Sequence, residues 1–145
     1  MDSKSIQILE PSLTKLAADG PKVIHLYDFV GKTIVTATTN SAFWTHNPMK
    51  DPINIVAWLK FKPEIPLLCL GILPRWIAKE GLEAREVLVR ALNNYLAADS
   101  QDQASGYTQR LIGFFFQEGI PAKNVSRVEV GGLIALNSNT IPMAF

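Results

Sequence analysis

Between Ile53 and Phe61 the chain alternates. Ile53, Ile55, Ala57, Leu59 and Phe61 point one way, and Asn54, Val56, Trp58 and Lys60 point the other. A period of two is the pattern of a strand with one buried face, because successive side chains of an extended backbone point to opposite sides. Lys62-Pro63-Glu64-Ile65-Pro66 then reads as a turn, and Leu67 to Leu73 is apolar on both faces, as expected of an interior strand.

Two further stretches carry the same signature. Lys22 to Asp28 and Lys32 to Thr38 are rich in β-branched and aromatic residues, and Gly31 between them suits a tight turn, so a β-hairpin is expected. Val125 to Val130 and Leu133 to Leu136 read as a last strand, with Gly131-Gly132 as a bulge. Helical periodicity is clearest from Leu82 to Ala98, where Ala84, Val87, Leu88, Ala91, Leu92, Tyr95 and Leu96 form one stripe. Tyr107 to Glu118 reads as a second helix closed by Gly119, and Ser12 to Asp19 as a short one closed by Gly20-Pro21. Asp99 to Gly106 reads as a flexible linker. The expected fold is therefore α+β: a single domain over residues 1–145, with a mostly antiparallel sheet of about five strands and three helices packed mainly on one side.

The chain has 145 residues, 48% of them apolar and only 19% charged, with 14 Lys+Arg against 13 Asp+Glu. Disorder is excluded as a description of the whole, and a net charge of +1 argues against a polyanion-binding protein. Sparse charge on a near-neutral domain predicts that some surface is covered by a partner, most simply a second copy of the chain. Charge is scarcest in three places: residues 65–73, the Phe-rich helix, and Val130 to Phe145, which has no ionisable side chain. The start of the chain lacks the signal-peptide pattern. The longest apolar run, Ile65 to Leu73, falls far short of the ~20 residues that span a bilayer. With a lone cysteine, Cys69, no internal disulfide can form, and the sequence reads as cytoplasmic without membrane contact.

No phosphate-loop, dinucleotide-loop, HExxH, paired CxxC or GxSxG motif is present. No cofactor is expected. The candidate contact residues are the loop set Trp44, His46, Asn47 and Lys50, because an aromatic loop residue packs on something, and the run Phe114, Phe115 and Phe116. Three consecutive Phe residues span about 200° of a helix, so one face cannot hold them all. These features predict a non-catalytic accessory or regulatory domain acting through protein–protein contacts as a homo-oligomer. The alternative is a small metal-dependent hydrolase or nuclease using His25, Asp28, His46 and Asp51, since imidazole and carboxylate suit Zn, Mn or Fe. A third reading is a nucleic-acid-binding accessory protein. Its basis is Lys32, Lys50, Lys60 and Lys62 interleaved with Phe43, Trp44 and Trp58.

Overall fold

A computed structural model describes residues 10–11, 13–14, 17–18, 20, 23–70 and 78–137. Among them the fold is all-helical, and no described residue lies in a strand. Five helices follow one another: α1 (Leu26–Phe43), α2 (Pro52–Cys69), α3 (Lys79–Ala97), α4 (Gly106–Gln117) and α5 (Ala122–Asn137). Short 3-10 turns at Trp44–His46 and Pro48–Lys50 lie between α1 and α2, and one at Ser100–Gln103 lies between α3 and α4. The α+β expectation is overturned, and residues 26–38, 53–61, 67–69 and 125–136, which read as strand or turn, are helical for local reasons.

In α2 the buried residues are Asn54, Ala57, Trp58 and Phe61. Their spacing is i, i+3, i+4, i+7, one face of a helix. The alternation from Ile53 to Phe61 was a coincidence of composition, since Ile53 and Val56 are exposed. Asp51 caps the helix by accepting a hydrogen bond from the Ile53 amide at 2.9 Å, and Pro52 occupies the first turn. Pro63 and Pro66 fall inside α2 rather than in a turn. Each removes one backbone donor, and an interior proline costs about 3 kcal/mol. The helix continues because Phe61, Ile65 and Leu68 pack on the core. Cys69, within the stretch expected to be an interior strand, is exposed at the end of the helix.

In α1, residues 31, 33, 35, 37 and 39 are buried, which mimics a strand. These positions are two rows of one helix, 31/35/39/43 and 33/37, buried on two sides. The Thr residues that favour strands give their hydroxyls to carbonyls one turn back: Thr33 to Phe29 (2.8 Å), Thr36 to Lys32 (2.9 Å), Thr38 to Ile34 (2.9 Å) and Thr39 to Val35 (2.6 Å). A buried Thr is satisfied this way without a sheet. In α5 the buried set Val125, Ser126, Glu129, Val130 and Leu133 is again helical, and Gly131-Gly132 is no bulge.

The α3 and α4 expectations hold. The predicted Leu82–Ala98 and Tyr107–Glu118 are observed as Lys79–Ala97 and Gly106–Gln117. The supposed linker at 99–106 contains the turn Ser100–Gln103 and the cap of α4: Ser105 Oγ accepts from the Thr108 amide at 3.3 Å. The Ser105 amide and the Thr108 hydroxyl both donate to the Ala42 carbonyl, tying α4 to the end of α1. Of the short helix expected at Ser12–Asp19, Leu13, Thr14, Ala17 and Ala18 are helical; its other residues lie outside the described ones. The strand expected at 67–73 ends, among the described residues, in α2 and Leu70. Half of the uncharged C-terminal stretch, residues 138–145, also lies outside them.

Helix α3 is the centre, packed between α2 and α5. The core joins Val35 and Phe43 of α1, Trp58 and Phe61 of α2, Leu88 and Leu92 of α3, Ile112 of α4, and Val125 and Leu133 of α5. Phe43 meets Tyr95 edge to face at 5.3 Å, and Trp58 meets Phe61 at 6.3 Å. Among the described residues no helix is long and apolar enough to cross a membrane.

Candidate functional site

The loop set divides. Trp44 is exposed, with φ 52, and its indole N–H donates to the Ser41 carbonyl at 3.1 Å. Lys50 is exposed and its ammonium donates to the Thr45 carbonyl at 3.0 Å. His46 is exposed as well. Asn47 faces inward. Its side-chain oxygen accepts from the Met49 amide at 2.9 Å, and its amide donates to Thr39 Oγ1 at 2.9 Å and Asn40 Oδ1 at 2.7 Å. Asn47 thus joins the end of α1 to the turn that leads into α2, and it is not available for a partner. Its loss leaves the buried Met49 N–H without its hydrogen-bond acceptor. Asn47→Ala should therefore lower stability by about 1–3 kcal/mol in denaturant titration, while His46→Ala changes it little.

A shallow hollow of about 360 Å³ lies beside this turn, lined by His46, Asp51, Asn54, Asn94, Tyr95 and Ser100 among others. Two of its polar groups are committed to local structure. Asp51 Oδ1 caps α2, and Asn54 donates to the Pro48 carbonyl at 2.8 Å. His25 and Asp28 do not reach it. They form an i, i+3 pair at 3.6 Å at the start of α1, where helical spacing brings together two side chains that a strand would have held apart. His46 follows the other end of α1, and 18 residues of helix are about 27 Å long. His25 and Asp28 therefore do not converge with His46 on one ion. Among the described residues no group of three His, Cys, Asp or Glu side chains could hold a metal.

The basic–aromatic strip is also dispersed. Phe43 and Trp58 are buried in the core, so of its three aromatic residues Trp44 alone offers a face for stacking. Lys62 donates to the Tyr27 hydroxyl at 3.0 Å and lies 5.5 Å from its ring centre.

The Phe run separates as the helical geometry requires. Phe115 packs against the core, whereas Phe114 and Phe116 are 54% and 40% exposed. They are not alone. Ile53 and Val56 of α2, Tyr107 of α4 and Val128 of α5 are exposed apolar side chains on three different helices. Ile53 and Val56 border a hollow of about 240 Å³ between α2 and α3, with Ala84 and Val87 opposite. This distribution of uncovered apolar surface was legible in part from the triple Phe. Ile53 was hidden by its assignment to a buried strand face.

No family model and no solved structure matches the chain. Among curated proteins the chain is similar to a cytochrome P450 monooxygenase of Hypoxylon pulicicidum, with 25% identity over all 145 residues, and it spans 28% of that protein's length.

Proposed function

We propose that the chain serves as a helical packing segment of a cytochrome P450-like monooxygenase and acts through contact with further protein. The observation that carries this reading is a similarity that runs through the whole chain yet covers little more than a quarter of the relative. Exposed apolar side chains on α2, α4 and α5 offer surface for such contact. The contact role and the self-association expected from sparse charge are thereby kept. A cytoplasmic setting, read from the lone cysteine, belongs to the same proposal.

Cytochrome P450s hold haem through a cysteine thiolate. The residues described here do not fit that group. Cys69 is exposed at the end of α2 and lines neither of the two hollows described above. The contribution assigned to this chain is accordingly its helices and their apolar faces.

Two measurements test the reading. Light scattering at micromolar concentration should give particles larger than the 16.0 kDa monomer. Phe114→Glu with Phe116→Glu should reduce association while circular dichroism stays helical, whereas Phe115→Glu should damage the fold itself. Titration with haemin should give no stoichiometric complex. A strictly monomeric particle would refute the contact role, and one haem per chain, lost in Cys69→Ala, would refute the division of labour.

A further inference from the structure

Helix α5 carries a carboxyl group where its packing leaves no place for a charge. Glu129 is 6% exposed, between Val125, Val130 and Leu133 on the face that α5 turns toward α3. Its Oε1 has no hydrogen-bond partner. The hydroxyl of Tyr95 on α3 is likewise buried without one. The two side chains are close enough for the carboxyl to act on the phenol. A buried carboxylate without a cation or donors is among the costliest groups a protein can hold, and it escapes that cost by keeping its proton.

Among the described residues no cation offsets the burial of the Glu129 carboxyl. On α5 itself, Lys123 and Arg127 act on Glu86 of α3, whose carboxyl is held below the usual range chiefly by its hydrogen bond to Arg85. From α3 the neighbour is Tyr95, a further acid, and from the adjoining 3-10 turn Asp102 acts on that same phenol. The charged side chains of α1, Asp28 and Lys32, and of α4, Arg110, are exposed. We propose that Glu129 locks α5 onto α3 while it carries its proton and loosens that seam when it loses it.

Burial alone pushes the Glu129 carboxyl above the usual carboxylate range. Burial, with the nearby carboxylates Glu129 and Asp102, pushes the Tyr95 phenol up to about 12. The sign follows from linkage. Below the ordinary carboxylate value both folded and unfolded chains hold the proton, and the contribution is fully present. Above it the unfolded chain releases the proton first, so stability declines as pH rises through the folded-state value.

The test is denaturant unfolding of the 145-residue chain and of Glu129→Gln between about pH 5 and pH 9. The wild-type folding constant should fall as pH rises above the ordinary carboxylate value, at no more than the one-proton limit of about tenfold per unit. Glu129→Gln should lack that fall. Carbon-13 NMR of the glutamate carboxyls in the wild-type chain reads the same group without any substitution. One carboxyl should titrate above the others and be absent from the spectrum of Glu129→Gln. Parallel pH curves for the two proteins, or a Glu129 carbon that titrates with the exposed glutamates, would overturn the proposal.

Discussion

Trp58→Ala should cost about 3–5 kcal/mol, the largest single loss expected anywhere in the chain. Trp58 is wholly buried, on the face of α2 that meets α3. It shares an edge contact with Phe61 and belongs to the same core as Leu88 and Leu92. Removing the indole takes away its burial and leaves a cavity that five helices cannot easily close. Trp58→Phe should be much milder. The indole N–H has no hydrogen-bond partner, so its replacement by a ring carbon removes an unsatisfied donor along with some volume. Chemical unfolding of the two variants checks both statements. Equal losses would mean that volume alone matters at this position.

Gly81→Ala should destabilise by about 1–3 kcal/mol, the range for overpacking. Helix propensity predicts the opposite sign, since Ala is favoured over Gly by about 1 kcal/mol within a helix. Gly81 sits in the first turn of α3, against α2. A Cβ there would lie 2.5 Å from Glu64 Cβ and 2.8 Å from Glu64 Cγ. Glu64 Cβ is fixed to its backbone, so relief requires the two helices to separate. Gly113 of α4 provides the control: a Cβ there meets nothing within 4 Å. Gly113→Ala should stabilise by roughly 0.5–1 kcal/mol, leaving a difference in sign between two glycines of the same helical conformation. Thermal unfolding of both variants reads that sign directly.

Legibility in the sequence followed the balance of local and tertiary information. Helix α3 was plain because it is amphipathic: Glu83, Arg85, Glu86 and Arg90 mark where the apolar stripe ends. Helices α1, α2 and α5 are enclosed or apolar on more than one side, and there periodicity loses its contrast. Thr33, Val35, Thr38 and Thr39 then read by intrinsic preference as a strand, although α1 satisfies the Thr hydroxyls internally. Pro63 and Pro66 weighed as breakers, yet α2 passes through them. The sequence did hold one overlooked sign: Asp51-Pro52 is a cap followed by a first-turn proline, the start of a helix. The exposure of Phe114 and Phe116 was readable because three successive Phe cannot share one helical face. The inward turn of Asn47 was not readable, since its partners Thr39 and Asn40 lie in the preceding helix.

Three stretches that read as strands in the sequence, within residues 31–43, 53–61 and 125–136, are helical. Backbone Cα chemical shifts and sequential amide contacts over them test this directly. Helical shifts and strong successive amide–amide contacts are expected in all three. Extended shifts with cross-strand contacts in any of them would contradict it.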